Sequence, residues 1–271
     1  MLDGAGTVAV AIDALVQRRI PALRARPDVL VGLIGRGIQL SRSPAMHERE
    51  AARVGLSCAY VLIDFDVLGF QDADVRAVLT TAAELGFNGV NVTYPFKQSV
   101  MPLLDEVSAE AAVIGAVNTV VFGDRMVGYN TDYWGFAQSF RTQMDGVPMD
   151  KVTVFGAGGA GSAISAALAS LGARSVTLVD QDVARAQDLA QRLVSQGTTR
   201  FEVADDVRAA VATADGIVNT TPVGMAKHPG TPFPTEWLLP RQWVADVVYF
   251  PRETELLRSA RAIGCRTLPG I

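Results

Sequence analysis

Short apolar runs alternate with amphipathic stretches along the first half of the chain. Apolar runs that predict strands lie at 30–35, 59–67 and 87–95. Between the last two, residues 73–86 repeat apolar positions at helical spacing and end at glycine. A further helix is expected to begin at Ser43-Pro44, with the serine as N-cap and the proline at the first helical position. This strand–helix–strand order predicts parallel sheet with right-handed crossovers.

The pattern changes after residue 115. The stretches AVNTVVF and RMVGYN alternate apolar and polar residues on either side of Gly123-Asp124, which predicts a β-hairpin. The stretch TDYWGFAQSFRTQM then predicts a helix. In the second half, helices alternate with the apolar strands VTVFG, SVTLVD, FEVA, DGIVNTT and WVADVVY. The fold class is therefore α/β, and the chain is long enough for two domains that meet near Gly128–Asp132.

Composition and charge exclude several kinds of protein. The chain is 49% hydrophobic and 19% charged, its net charge is −4, and its basic residues form no block, so we expect no nucleic-acid partner. It has no apolar run near the ~20 residues of a membrane span, and its N-terminus lacks the order of a signal peptide. The two cysteines, Cys58 and Cys265, are too few and too far apart in the sequence for a disulfide framework or a zinc site, and a cytoplasmic location is expected.

The segment VTVFGAGGAGSA carries the clearest chemical motif. Gly156, Gly158 and Gly161 follow a predicted strand and precede an apolar helix, which fits the G-x-G-x-x-G pattern. Such glycines let backbone amides and the helix N-terminus approach a pyrophosphate, although similar turns also serve purely structural ends. The next strand ends in Asp180, about 20 residues on, where an acid binds ribose hydroxyls. We therefore predict a dinucleotide site that also includes Gly159 and Ala160.

Several polar residues of the first domain sit where the chain changes direction. They are Ser41, Ser43, Asn91, Thr93, Lys97, Asn118 and Asp132. Open parallel sheets bind ligands at the carboxyl ends of their strands, so these loops are expected to converge on one crevice. Each has a simpler interpretation when taken alone: Ser43 and Asp132 as helix N-caps, Lys97 as a solvated charge. His47, inside a predicted helix, is expected to serve packing or to lie at the surface rather than to bind a ligand.

Lys97 occupies an unfavourable place in the predicted structure. The stretch PFKQSVMPLLDEVS is expected to start a helix, and the positive end of a helix disfavours an ammonium by roughly 0.3–1 kcal/mol. An unfavourable position is a reason to suspect that this lysine has a chemical role.

Seven segments together resemble the shikimate dehydrogenase family, and the resemblance covers residues 30–270. They are LSRSPAMHE, NVTYPFK, GAVNTVV, YNTDYWGF, GAGGAGSA, NTTPVGM and VVYFPRETELL, in that order. The sequence is most similar to the NAD-dependent quinate/shikimate dehydrogenases. The resemblance implies a substrate-binding domain over 1–130 (1–28 as an N-terminal extension), a Rossmann-type NAD-binding domain over 131–251, and a C-terminal helix over 252–271 that returns toward the substrate domain. It implies an active-site cleft between the domains and a place in aromatic amino acid biosynthesis.

The same resemblance implies a role for each matching residue. Ser41 and Ser43 would bind the substrate carboxylate, Thr93, Asn118 and Asp132 would hold ring hydroxyls, and Tyr249 would face the substrate. Lys97 and Asp132 would form the catalytic pair. Thr220, Met225 and Val247 would lie along the cofactor. Asp180 would accept hydrogen bonds from the ribose of NAD, and Arg185 would pack on the adenine or meet the pyrophosphate.

Some questions stay open at this level. Alternatives are a related substrate such as aminoshikimate, or a non-catalytic ligand-binding homologue. The sequence leaves open the ranking of shikimate and quinate and whether the chain forms a homodimer. Relatives usually continue into a helix whose glutamine reaches the substrate, whereas this chain stops at Ile271. We therefore expect weak activity for the chain as given.

Overall fold

The computed structural model describes residues 4–20, 26–194 and 197–270. The strands are β1 Val29–Gly35, β2 Cys58–Asp64, β3 Gly89–Val92, β4 Glu106–Val107, β5 Thr119–Phe122, β6 Met126–Tyr129, β7 Lys151–Phe155, β8 Ser175–Val179, β9 Arg200–Val203, β10 Gly216–Asn219, β11 Trp243–Asp246 and β12 Arg266–Leu268. The helices are α1 Gly4–Arg19, α2 Ser43–Arg53, α3 Phe65–Leu68, α4 Val75–Glu84, α5 Ala109–Ile114, α6 Asp132–Gln143, α7 Gly159–Ser170, α8 Val183–Val194, α9 Val207–Thr213 and α10 Glu255–Ile263. The chain divides into one unit over Met1–Asn130 and a second over Thr131–Ile271.

The first unit contains a mixed six-stranded sheet with strand order β2-β1-β3-β5-β6-β4. Strands β1, β2 and β3 are parallel, whereas β5 runs antiparallel to β3 and forms the predicted hairpin with β6. Because β5 is antiparallel, it begins at the edge of the sheet where β1 and β3 end. We call this edge the carboxyl edge of the first sheet.

The N-terminal segment differs from the expected extension. Residues 1–3 and 21–25 of it lie outside the described residues, but α1 packs against α4 and β2. Its side chains Val8, Ile12 and Val16 are buried in the main core of the first unit. Each buried aliphatic side chain of this kind stabilises the fold by about 1.5–3 kcal/mol. The helix is therefore an integral part of the first unit.

The second unit contains a fully parallel sheet with strand order β12-β11-β10-β7-β8-β9. Read from β9, this order is 3-2-1-4-5-6, the doubly wound dinucleotide-binding arrangement. The order reverses between β7 and β10, and the crevice outside the carboxyl ends of these two strands is where such sheets bind ligands.

The C-terminal segment corrects a second expectation. Residues 252–271 were predicted to return toward the substrate domain. Instead, α10 packs on β11 and β12, with Leu256, Leu257 and Ala260 buried, and β12 adds a parallel strand to the second sheet. The reason is the strongly one-sided apolar face of α10, which matches the second core. Ile271 itself lies outside the described residues.

One local prediction was also wrong. The predicted strand 59–67 ends at Asp64, because Asp64 accepts a hydrogen bond from the backbone N–H of Asp66 and caps the short helix α3.

Within the described residues, no helix is both long and apolar enough to cross a membrane.

Candidate active site

The loop that follows β1 carries the serine pair. The Ser41 hydroxyl donates to the Ser43 Oγ at 3.2 Å and accepts from the Ser43 backbone N–H, also at 3.2 Å. Ser43 is not the N-cap that the sequence predicted, since Arg42 takes that position and Ser43 is the first residue of α2. Both serines are half-buried. Two hydroxyls and the start of α2 thus lie together beyond the carboxyl end of β1.

A buried carboxylate fixes the beginning of this loop. Asp64, at the end of β2, is 1% exposed and accepts hydrogen bonds from the backbone N–H groups of Gly37 and Ile38, both at 2.9 Å. It also accepts from Gln39 Nε2 at 3.0 Å. Buried carboxylates are tolerated when their oxygens are satisfied in this way. Asp64 therefore determines where the chain leaves β1 on its way to the serines.

Arg36 ties the same loop to the segment after β2. Its guanidinium pairs with Asp66 at 2.9 Å and Asp72 at 2.6 Å, and donates to the Phe70 carbonyl at 3.0 Å. The hydrogen bonds to Asp72 and Asp66 raise the pKa of Arg36, with the bond to Asp72 the largest cause. Neither Arg36 nor Asp64 is among the residues predicted from the sequence. The only signal for Asp64 is an acidic residue inside the predicted apolar strand 59–67.

Thr93 and Asn118 lie at the carboxyl edge of the first sheet. A Cβ added to Gly35, the last residue of β1, would lie 2.4 Å from Thr93 Cγ2, so glycine there lets the two strand ends approach closely. Asn118 directly precedes β5, is 8% exposed, and its carbonyl accepts from the Val92 N–H at 2.8 Å. Thr93 and Asn118 therefore lie at neighbouring strand ends of this edge, and their convergence on one crevice stays a prediction.

Lys97 lies at the same edge, but not at a helix N-terminus. Residues 94–100 form successive turns, followed by a short 3₁₀ segment at Met101–Leu103. The turns are closed by hydrogen bonds such as Phe96 N–H to the Thr93 carbonyl at 2.9 Å. The helix-end argument for Lys97 is thus wrong, because Pro95 and Pro102 both limit helix formation here. The Lys97 carbonyl accepts from the Val117 N–H at 2.7 Å, which holds the lysine backbone next to Asn118.

A network of side chains supports this edge from within the sheet. The Tyr60 hydroxyl donates to Asn91 Oδ1 at 2.8 Å, and Asn91 Nδ2 donates to Thr119 Oγ1 at 3.1 Å. Thr119 Oγ1 in turn donates to Asn118 Oδ1 at 2.9 Å, which orients the amide. His47 stacks near Tyr60, with ring centroids 4.9 Å apart, and burial lowers its pKa. His47 serves packing, as predicted.

Asp132 belongs to the second unit. It is the first residue of α6, and Thr131 is the N-cap. A carboxylate in the first turn of a helix is favoured by the helix dipole. The structure therefore gives Asp132 a local role as well, and the pairing of Lys97 with Asp132 remains a prediction.

The glycine turn between β7 and α7 has the geometry that a dinucleotide requires. Gly156 has a φ of 101°, which disfavours other residues, and a Cβ on Gly161 would lie 1.9 Å from the Gly156 carbonyl oxygen. Gly158 is different, because a Cβ there would meet nothing within 4 Å. Gly159 and Ala160 form the first turn of α7. The turn is thus closed on the protein side and open on the side where a pyrophosphate binds.

Asp180 is joined directly to this turn. Its Oδ2 accepts from the Ala157 N–H at 2.7 Å, its Oδ1 accepts from the Asp182 N–H at 2.8 Å, and its side chain is 10% exposed. Arg185 lies 3.8 Å from Asp180 and 3.3 Å from Asp182. In this structure Arg185 is paired with these two acids, a contact that the sequence analysis did not anticipate.

The loops after β10 and β11 hold the remaining predicted residues. Thr220 Oγ1 donates to the Phe155 carbonyl at 2.7 Å and lies 3.0 Å from the Gly156 carbonyl oxygen, which places Thr220 at the switch point. Met225 and Tyr249 are each 37% exposed, and Val247 is half-buried. The buried pair Asn219 and Asp246, missed in the sequence analysis, joins the starts of the two loops at 3.0 Å.

The strand order, the open glycine turn and the switch-point loops define the second unit as a Rossmann-type dinucleotide-binding domain. Comparison with known protein families agrees. Residues 33–120 match the shikimate dehydrogenase substrate binding domain, and residues 135–239 match the C-terminal domain of alanine dehydrogenase/PNT.

Similar proteins cover most of the chain. The shikimate dehydrogenase (NADP(+)) of Streptomyces avermitilis is 51% identical over 89% of this chain and 84% of its own length. The quinate/shikimate dehydrogenase (NAD(+)) of Corynebacterium efficiens is 47% identical over 90% and 87%. The structure of quinate dehydrogenase from Corynebacterium glutamicum in complex with NAD is 44% identical with a TM-score of 0.78, over 89% and 88%. The chain therefore belongs to the shikimate dehydrogenase family of oxidoreductases.

Proposed function

We propose that this protein catalyses the reversible oxidation of a ring hydroxyl of shikimate, quinate or both, with NAD as hydride acceptor and 3-dehydroshikimate or 3-dehydroquinate as product. The observation that carries the proposal is the grouping of Ser41, Ser43, Thr93, Lys97 and Asn118 around the carboxyl edge of the first sheet. The Streptomyces avermitilis relative is named for shikimate, and the Corynebacterium efficiens relative is named for both quinate and shikimate. These names support the proposed substrate class.

The substrate contacts follow from the chemistry of each side chain. The Ser41 and Ser43 hydroxyls are suited to donate to a carboxylate, because they lie next to the N-terminus of α2, where anions are favoured. Thr93, Asn118 and Asp132 offer donors and acceptors for ring hydroxyls. Tyr249 is 37% exposed, and its side chain is proposed to face the substrate.

Lys97 and Asp132 are the proposed acid/base pair. Oxidation of a secondary alcohol requires removal of the hydroxyl proton as hydride leaves, and a neutral lysine amine accepts that proton. In the reverse direction the ammonium donates the proton to the developing alkoxide. Asp132 would orient the amine and hold a neighbouring hydroxyl, so Asp132→Asn is expected to lower kcat and to weaken substrate binding together.

The charges at the end of β8 support a preference for NAD over NADP. When bound, the nicotinamide accepts hydride from the substrate carbon. Asp180 and Asp182 place two carboxylates against one cation, Arg185, at the end of β8. A 2′-phosphate there would meet Asp180, and unit charges ~4 Å apart interact by about 1 kcal/mol in water and ~4 kcal/mol at an intermediate dielectric. The relative from Streptomyces avermitilis is named for NADP, so the choice of NAD over NADP rests on this charge argument and not on the comparisons.

A cytoplasmic location is proposed from the cysteines. Cys58 and Cys265 are both free. Two unpaired cysteines agree with a reducing compartment, which supports the cytoplasm.

Steady-state kinetics with shikimate, quinate and aminoshikimate, each with saturating NAD, test the function directly. We expect NADH formation with shikimate and quinate. Turnover of aminoshikimate alone would replace the substrate assignment, and binding of the acids without any turnover would favour a non-catalytic homologue.

A further inference from the structure

Two buried polar residues end adjacent strands of the second sheet. Asn219 is the last residue of β10, Asp246 is the last residue of β11, and the two are register partners in the parallel pair. Asn219 is 0% exposed and Asp246 is 2% exposed. Asn219 Nδ2 donates to Asp246 Oδ1 at 3.0 Å, which makes this a fully buried side-chain bond between neighbouring strands.

Asn219 fixes the loop that follows β10. Its Nδ2 also donates to the Val223 carbonyl at 2.9 Å. Its Oδ1 accepts from the backbone N–H of Thr221 at 3.0 Å and from the Thr221 hydroxyl at 2.7 Å. The amide thus uses both its donors and both its acceptor positions. The loop held in this way contains Thr220 and leads to Met225.

Asp246 fixes the loop that follows β11. Its Oδ1 accepts from the Val248 N–H at 3.0 Å, between Val247 and Tyr249. Its Oδ2 accepts from the Thr254 hydroxyl at 2.7 Å, and Thr254 is the N-cap of α10. The carboxylate therefore holds both ends of the loop 247–254, in surroundings that exclude water.

We infer that Asn219 and Asp246 act as one positioning pair, which sets the two switch-point loops in register so that Thr220, Met225, Val247 and Tyr249 face the cofactor and the substrate. The inference rests on the proposed function, because the four residues are assigned to that site. Neither Asn219 nor Asp246 is proposed to contact the cofactor or the substrate. Its members are buried and act only through the loops that they hold.

The geometry explains why a charged residue is kept in this core. A valine or leucine in place of Asp246 would fill the space and remove the cost of burying a carboxylate. It would also leave the Val248 N–H and Asn219 Nδ2 without their acceptor, and the two loops would lose their common anchor. The buried bond thus favours one loop arrangement over others.

The variants Asn219→Ala, Asp246→Ala and the double variant test the pair. We expect each single variant to raise the KM for NAD and lower kcat, each by about 10- to 100-fold, since misplacement near 1 Å has effects of this size. The double variant should be little worse than either single variant, because both changes remove the same unit. Asp246→Asn keeps an acceptor for Asn219 and Val248 and should restore most of the activity.

Gln242→Ala is the matched control. Gln242 is 1% exposed and makes three bonds, to the Val211 and Ala214 carbonyls and from the Leu239 N–H, before the start of β11 at the opposite edge of the sheet. It should lower Tm as the test variants do while leaving the KM for NAD unchanged. If Asn219→Ala and Asp246→Ala do not fold, Thr254→Val, which removes the bond to Asp246 Oδ2 together with the N-cap bond from the Leu257 N–H, should still raise the KM for NAD.

Two results would overturn the inference. Variants that lower Tm but keep the KM for NAD and kcat would show that the pair has only a structural role, while the proposed function would stand. An unmodified chain that bound no NAD in calorimetry would overturn the proposed function and the inference together.

Discussion

The two sheets present their functional residues in different ways. In the first unit, the site residues are side chains on loops, and buried polar groups from neighbouring strands hold these loops: Asp64 anchors the serine loop and Asn91 orients Asn118 through Thr119. In the second unit, the central feature is backbone, a glycine turn closed by the contact of Gly161 with the Gly156 carbonyl. The first arrangement suits recognition of particular hydroxyl and carboxylate positions, and the second suits a pyrophosphate common to many enzymes.

This difference predicts which kind of substitution should impair each site most. A side-chain site loses its chemistry when one atom group is removed, although the fold persists. A backbone site tolerates side-chain loss but fails when a Cβ enters the turn. Substrate binding by the serine loop and pyrophosphate binding by the glycine turn should therefore respond to different kinds of substitution.

Lys97→Ala is expected to have the largest effect. If Lys97 is the proposed acid/base, its loss should lower kcat by about 10²–10⁴-fold, the usual range for a positioned group. The NAD dissociation constant should barely change, which calorimetry can check. Lys151→Ala, at the exposed start of β7, is the control and should keep normal kcat. Near-normal kcat in Lys97→Ala would instead support a solvated charge.

The glycine turn gives the complementary test in the second unit. Gly161→Ala should lower the free energy of unfolding by about 3 kcal/mol, because its Cβ would overlap backbone that cannot move away. Gly158→Ala has open space around the new Cβ and should leave Tm nearly unchanged, while weakening NAD binding by about tenfold through the lost close approach. Thermal melts with and without NAD compare the two. Unchanged NAD affinity in Gly158→Ala would contradict the placement of the pyrophosphate.

Asp64→Asn should separate positioning of the serine loop from cofactor binding. In the unmodified chain, both Asp64 oxygens accept hydrogen bonds from N–H groups. In the asparagine variant, an amide NH₂ replaces one of these oxygens, so two donors would face each other without an acceptor. We therefore expect the unfolding free energy to fall by about 2 kcal/mol. The KM for the hydroxy acid should rise, whereas the NAD dissociation constant should stay the same. Asp72→Asn, which alters the 65% exposed partner of Arg36, is the control and should do neither. If Asp64→Asn weakened NAD binding by the same factor as it raised the KM for the hydroxy acid, the difference proposed between the two units would be contradicted.

The pH dependence of Asp246 is the smallest expected effect. Burial raises the pKa of this carboxyl from 3.8 to about 6, against the opposing hydrogen bonds from Thr254, Val248 and Asn219. The folded state therefore binds the proton more tightly than the unfolded state. The stability that this group contributes is present at acid pH and is lost as pH rises through about 6.

The unfolding free energy of the unmodified chain, relative to Asp246→Asn, should thus fall by roughly 1.4 kcal/mol between pH 5 and pH 7, the value of one pKa unit. Denaturant melts of both proteins at the two pH values measure it. A difference that does not depend on pH would mean that Asp246 has an ordinary pKa.

The sequence predicted the second unit better than the first, for a physical reason. The turn containing Gly156 and Gly161 is a local motif, because its conformation depends on residues close together in the chain. The serine loop depends on Asp64, which is distant in sequence, and neither the strand pattern nor Ser43 itself indicated that anchor. The stretch around Lys97 predicts the start of a helix, whereas Pro95 and Pro102 limit helix formation there. The amphipathic face of α10 predicts a helix but does not specify the core on which that helix packs.

The cofactor preference tests the account of the second unit most directly. Steady-state kcat/KM with NAD and with NADP should be measured for the unmodified chain and for Asp180→Asn combined with Gln181→Arg, which keeps an acceptor for the Ala157 N–H and adds a cation. Since each 1.4 kcal/mol is tenfold, the charge of Asp180 predicts a preference for NAD of about 10- to 10³-fold in the unmodified chain. The double variant should shift strongly toward NADP. Equal use of both cofactors by the unmodified chain would contradict the role of Asp180.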